Sequence, residues 1–184
     1  MLRISAITSC LLLAVTVNLF PQAVPEKTSP PVARPADVAD PDAIIAALYN
    51  VISGPAGQPR DWNRFRSLFA AGARLVPVAR NAQTGEIGSI VLDPEGYMGR
   101  SAERLEKNGF YEKEIARRTE RFGTMLHAFS TYESRHKAED ASPFARGINS
   151  IQLYHDGKRW WIVTVMWQAE TPEYQLPRQY LRTP

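Results

Sequence analysis

The chain has 184 residues, 44% hydrophobic and 22% charged, a globular composition that excludes wholesale disorder, collagen-like repeats and extended coiled coils. Twenty-two Lys and Arg against 19 Asp and Glu leave a net charge of +3, too slight a surplus to point to a polyanionic partner. The basic clusters Arg117-Arg118, Arg121 and Lys158-Arg159 lack the interleaved aromatic platform that single-stranded nucleic acids use, so no nucleic-acid partner is expected.

The first 23 residues have the order of a secretory signal: Arg3, a mostly apolar run from Ile4 to Phe20, then Pro21-Gln22-Ala23 ending on a small residue. Cleavage there predicts a periplasmic or secreted protein with no stable membrane span; left uncleaved, the run would be a short membrane anchor. Cys10 sits inside the apolar run, so residues 24–184 contain no cysteine and hence neither disulfide nor thiol nucleophile. Residues 24–39, with Pro25, Pro30, Pro31 and Pro35, read as an extended linker ahead of a domain spanning 40–170, and 171–184 as a C-terminal extension.

Asp40-Pro41-Asp42 opens the first helix with a capping side chain, a proline suited to the first turn and an acid at the positive dipole end. Ile44, Ile45, Leu48, Tyr49 and Ile52 form its apolar stripe. A second helix is expected from Asp61 to near Gly72, burying Trp62, Phe65, Leu68 and Phe69. Residues 73–78 and 87–92 flank a turn-rich stretch and predict a hairpin. Asp93-Pro94 opens a third helix that stops at Asn108-Gly109. Four strands follow, at 111–118, 125–136, 146–154 and 159–168, and Asp156-Gly157 between the last two predicts a two-residue type I′ turn. Helices first, then a meander, argue for an α+β fold over β-α-β alternation.

This order resembles the nuclear transport factor 2-like superfamily, which also includes ketosteroid isomerases and SnoaL-like cyclases. The resemblance runs from about Asp40 to Gln168 and rests on element order plus the hairpin Gly147-Ile148-Asn149-Ser150-Ile151-Gln152-Leu153, Asp156-Gly157, Trp160-Trp161-Ile162-Val163. It implies a cone of three N-terminal helices packed on a curved, mostly antiparallel sheet. The fold hosts isomerases, dehydratases, cyclases and non-catalytic modules alike, so function must be argued from the site.

A two-residue turn at Asp156-Gly157 pairs Leu153 with Trp160, Ile151 with Ile162 and Asn149 with Thr164. The loop 137–142 then sets Phe129 beside Ile151, Thr131 beside Asn149 and His127 beside Leu153. One face so collects Asn149, Thr164, Thr131, Phe129, Ile151 and Met166 as a ligand-binding surface, with His127 as a candidate for general acid or base. Asn149 is the polar group most in need of a partner there, whether Thr164, water or a ligand. The opposite face, bearing Ile148, Val163, Val165 and Trp167, predicts a homodimer interface, with Arg146 stacked on Trp167 at its rim.

Glu112, Glu114 and Glu133 are carboxylates that could act as a base, but their flanking Lys113 and Arg135 suggest ion pairs on exposed strand ends. The meander strands contain no Asp, unlike ketosteroid isomerases. His127, His136 and His155 fit no metal-ligand spacing, and neither metal nor cofactor is expected. The residues thus point to an exported protein binding a small apolar or amphipathic molecule without an evident catalytic set. A cofactor-free lyase or isomerase, and an envelope assembly module, are the alternatives.

Overall fold

The computed structural model describes residues 30–182, so the export segment expected at 1–23 lies outside the described residues. Helix α1, Pro41–Ile52, is capped as its sequence demands: Asp40 Oδ1 accepts from Ala43 N at 2.7 Å, and Ile44, Ile45, Leu48, Tyr49 and Ile52 are all buried. Helix α3, Pro94–Asn108, starts the same way, with Asp93 accepting from Gly96 N.

Helix α2 is shorter than its apolar spacing predicts, running only from Trp62 to Ser67. Leu68 and Phe69 leave it for the sheet, where Ile162 N donates to Leu68 O at 3.0 Å and Phe69 pairs with Ile162. Phe65 and Phe69 still meet, with ring centroids 4.7 Å apart. The competing influence is a parallel pairing with a strand some ninety residues downstream, which no local periodicity reports.

The strands are β1, Phe69–Arg80; β2, Ile87–Ser89; β3, Tyr111–Phe122; β4, Met125–Arg135; β5, Ala145–His155; and β6, Trp160–Ala169. They form one curved sheet in the order β2-β1-β6-β5-β4-β3, parallel only between β1 and β6. Its inner face meets the helices in a core that includes Ile44, Ile45, Phe65, Ala128, Ile151 and Ile162. This is the α+β, helices-on-sheet architecture that the element order implies. The packed body begins ahead of Asp40: Val38 is buried and its carbonyl accepts from Trp160 N, while Asp37 holds Arg64 at 2.7 Å.

Three local details set which side chains face inward, and each departs from the expected register. The β5–β6 turn is not type I′, which needs positive φ at both central residues; only Gly157 has it, at 94°. Asp156 instead folds its side chain over the loop, Oδ1 accepting from Lys158 N and Arg159 N, so His155 pairs with Trp160. That shift of two keeps Trp160 and Ile162 inward. Further along β6, Val163 is an extra residue, so Leu153 opposes Ile162 but Gln152 opposes Thr164, and every later β6 side chain changes face. Between β4 and β5 the register lies one residue from expectation, with Phe129 opposite Ser150 and Ser130 opposite Asn149.

The consequences are corrections. His127, Phe129, Thr131, Thr164 and Met166 lie on the outer face, away from Asn149 and Ile151. Val165 and Trp167 turn inward, Val165 into the core and Trp167 against Tyr97, so they share no surface with Ile148 and Val163. Arg146 pairs with Glu170 at 2.8 Å rather than stacking on Trp167.

The C-terminal segment lies across part of the outer face. Thr131 Oγ1 donates to Tyr180 O at 2.6 Å, the Phe129 and Tyr180 rings meet at 5.1 Å, and Arg118 reaches Gln179 O. This cover explains how Thr131, on a face away from the helices, is only 1% exposed.

Candidate functional site

Antiparallel partners share a face, so the strand pairs define rows of side chains across the inner surface. One row is Glu112, Ser134 and Ala145; the next is Glu114, Tyr132 and Gly147. A bulge between Glu114 and Ala116 then brings Arg117 back inward, into a row with Ser130, Asn149 and Trp167. The bulge is what lets Arg117 Nε reach both Glu114 oxygens at 2.9 Å.

Helix α1 delivers Tyr49 onto these rows and closes a hydrogen-bonded chain. Asn149 Nδ2 donates to the Tyr49 hydroxyl at 3.0 Å and to Glu112 Oε1 at 3.4 Å. The Ser130 hydroxyl donates to Glu114 in a short contact, so the 2.7 Å bond between Tyr49 and Ser130 has Tyr49 as donor. Both Asn149 amide protons are therefore engaged by protein. Asn149 is only 6% exposed, and its partners are Tyr49 and Glu112, not Thr164, which sits on the other face.

Glu112 is the central group. Ser134 Oγ donates to its Oε2 at 2.8 Å and Asn149 to its Oε1, and among the described residues no ion pair involves it. Burial pushes its carboxyl up to about 7, the two hydrogen bonds offsetting only part of the desolvation. Glu112 also raises the hydroxyl pKa values of Tyr49, Tyr97 and Tyr132, on top of the larger effect of their own burial.

A cavity of about 200 Å³ opens inside the cone, with Glu112, Asn149, Ser134 and Tyr132 on the sheet side and Tyr97 and Trp167 among its aromatic walls. Gly147 makes room for Tyr132: a Cβ there would stand 2.5 Å from the Tyr132 hydroxyl and 2.3 Å from Gln168 O. A wider groove of about 420 Å³ lies between α1 and β3, and Tyr49 and Glu112 line it as well. The cations on that groove are paired: Arg117 with Glu114 and Asp42, and both Lys113 and Arg135 with Glu133.

Of the residues expected to form the site, Asn149 lines the cavity and Ile151 lies in the adjacent core. His127 is on the outer face, its Nε2 bonded to Ser150 Oγ at 2.9 Å. Thr131 and Phe129 are beneath the C-terminal segment, and Met166 is 44% exposed beside it. The ion-pair expectation holds for Glu114 and Glu133 and fails for Glu112. Alternation along β3 is the signal that separates them: Lys113 and Glu133 share one face, Glu112 and Ser134 the other. Tyr49, which reads from the sequence as one more residue of a buried helical stripe, needs the α1–sheet docking to appear as a site residue.

No family model matches the chain, and no curated protein matches it. Solved structures do. A cystatin-like-fold protein of unknown function from Nostoc punctiforme aligns with a TM-score of 0.52 at 10% identity, covering 70% of this chain and 87% of that one. LinA aligns at 0.50 and 9% identity, covering 69% and 81%. An NTF2-like protein of unknown function from Silicibacter pomeroyi aligns at 0.47 and 14% identity, covering 72% and 94%. At such identities the likeness is one of fold.

Proposed function

We propose that this chain, which has the nuclear transport factor 2-like fold, is a cofactor-free proton-transfer enzyme, an isomerase or lyase acting on a small, largely apolar molecule held inside the cone. The observation that carries this reading is the Glu112 carboxyl: it lines an aromatic-walled cavity, is oriented by Ser134 and Asn149, and has a pKa raised to about 7. A base poised near the working pH both accepts and returns a proton readily. In the reaction the ionised Glu112 takes a proton from an acidic C–H of the substrate and becomes the neutral acid. It then gives the proton to another atom, completing an isomerisation, or holds it while a leaving group departs with the bonding electrons.

Neither amide proton of Asn149 is left for an oxyanion, which makes Asn149 a positioning residue for Glu112 and Tyr49. At about 200 Å³ the cavity suits a compact substrate.

The test is deuterium incorporation into a panel of small cyclic and aryl ketones in D₂O, followed by NMR. Wild type should exchange α-protons above the buffer rate, faster as pH rises through about 7. Glu112→Gln should lose about 100-fold or more. Exchange at the wild-type rate in that variant, or none above buffer in the wild type, would overturn the assignment.

Export is a separate part of the proposal, supported by Arg3 followed by the apolar Ile4 to Phe20. Mass spectrometry of the envelope fraction should find an N-terminus between about Gln22 and Val24; an intact Met1 in a soluble cytoplasmic pool would remove this part alone.

A further inference from the structure

Helix α3 places Tyr97, Ser101 and Arg104 at i, i+4 and i+7, on one face, and all three line the cavity. Ser101 is buried and Tyr97 half-buried. Arg104 is the exposed member of the three and so stands at the mouth. Among the described residues no ion pair involves it, whereas the cations lining the neighbouring groove are all matched with carboxylates. A guanidinium at the entrance of an apolar cavity, with its fork of donors unspent, is a receptor for a planar anion.

We infer that the substrate carries a carboxylate, held by Arg104 at the cavity mouth, on a small apolar body that lies along the wall formed by the Tyr97–Trp167 ring pair and reaches toward Glu112. The inference rests on the cavity being the reacting site, and it adds the substrate's charge class. Several features select this class. One guanidinium matches a monoanion in bidentate fashion, while a phosphate dianion would need further donors that the aromatic walls do not supply. Glu112 at the far side disfavours a second negative charge on the inner end of the molecule, so the anion must face outward. The polarity also orients the chemistry: with its carboxylate fixed at α3, the molecule presents its opposite end to the β3 carboxyl that moves the proton.

The experiment compares phenylacetate with its neutral isostere phenylacetamide, titrated into the full chain and followed by ¹H–¹⁵N spectra, in which the Trp167 indole reports from the cavity wall. The variants are Arg104→Gln, at an exposed position, and Ala145→Phe, which fills the cavity from the Glu112 row. Wild type should bind the acid about tenfold more tightly than the amide, Arg104→Gln should bring the acid to the amide's affinity while leaving the amide unchanged, and Ala145→Phe should weaken both. Equal affinity of acid and amide for wild type, or equal weakening of both by Arg104→Gln, overturns the carboxylate assignment and leaves the cavity reading standing. If neither compound shifts the Trp167 indole of the wild type, both readings fall together.

Discussion

Two of the charged side chains drawn into this small protein, Arg60 and Glu112, are treated in opposite ways. Arg60 is 7% exposed, and its guanidinium is surrounded by carbonyls: Nε donates to Ile52 O, Nη1 to Pro55 O and Gln58 O, and Nη2 to Gly54 O and Leu105 O. Two of those carbonyls lie in the final turns of α1 and α3, where a positive charge is also favoured by the helix dipoles. Glu112 has two donors, both neutral, and an open cavity in front of it. The difference separates a buried charge that serves the fold from one that serves a reaction. Arg60 remains a cation because the backbone has replaced its water; Glu112 is left close enough to neutrality that a proton can come and go.

The largest expected effect tests the structural side of this contrast. Arg60→Met keeps the stem volume and removes every donor, leaving carbonyls at the ends of α1 and α3 without their partner. Each buried carbonyl left without a donor costs about 1–3 kcal/mol, so a loss of about 3 kcal/mol or more is expected. Urea denaturation should show a lowered midpoint with an unchanged slope. A loss below about 1 kcal/mol would mean that water replaces the guanidinium and that Arg60 is no clamp.

Glu112→Gln should act in the other direction. A carboxyl whose folded pKa is raised binds a proton more tightly folded than unfolded, so wild-type stability is full below the unfolded pKa of about 4.5 and declines as pH rises toward about 7. The amide has no such term. The variant should therefore match the wild type near pH 4 and exceed it above pH 7, by about 2 kcal/mol once the shift is discounted for the carboxyl's partial access to solvent. Thermal denaturation at the two pH values measures the difference. Equal stabilities at pH 8 would show that Glu112 is as well compensated as Arg60.

How far these two residues could be read in advance follows from their surroundings. The caps at Asp40 and Asp93 and the stripe from Ile44 to Ile52 are local chemistry, and the structure has them where the sequence places them. Asn149 also stands out locally, as an amide alternating with Ile151 and Leu153 on a buried strand face. Its partners do not, because face assignments depend on single-residue events: the Asp156 side-chain turn, the extra Val163 and one residue in the loop after β4. One such step sends His127, Phe129 and Thr131 outward and brings Ser130 in. Arg60 and Glu112 are illegible for a further reason. A lone Arg in a loop and a Glu in a charge-rich strand resemble solvated residues until helix docking supplies carbonyls to one and aromatic walls to the other.

The smallest expected effect bears most directly on how Glu112 is tuned. Ser134 donates its hydroxyl proton to Oε2 at 2.8 Å and is the largest influence holding the carboxyl down against burial, ahead of Asn149. Ser134→Ala removes that bond with little change in shape, because Ser134 is 2% exposed and its Cβ stays in place. The ionised form loses more than the neutral one, so the Glu112 pKa should move upward from about 7, by roughly half to one unit. Carboxyl ¹³C titration reads this shift, and the pH dependence of deuterium exchange should follow it to higher pH, with a slower rate at pH 7 and recovery at pH 8. Recovery with pH distinguishes a tuning group from a structural one: a Ser134 needed only for packing would lower stability and exchange equally at both pH values. Arg60 has no counterpart to this behaviour, since removing one carbonyl partner from five leaves a guanidinium that stays charged throughout the accessible range.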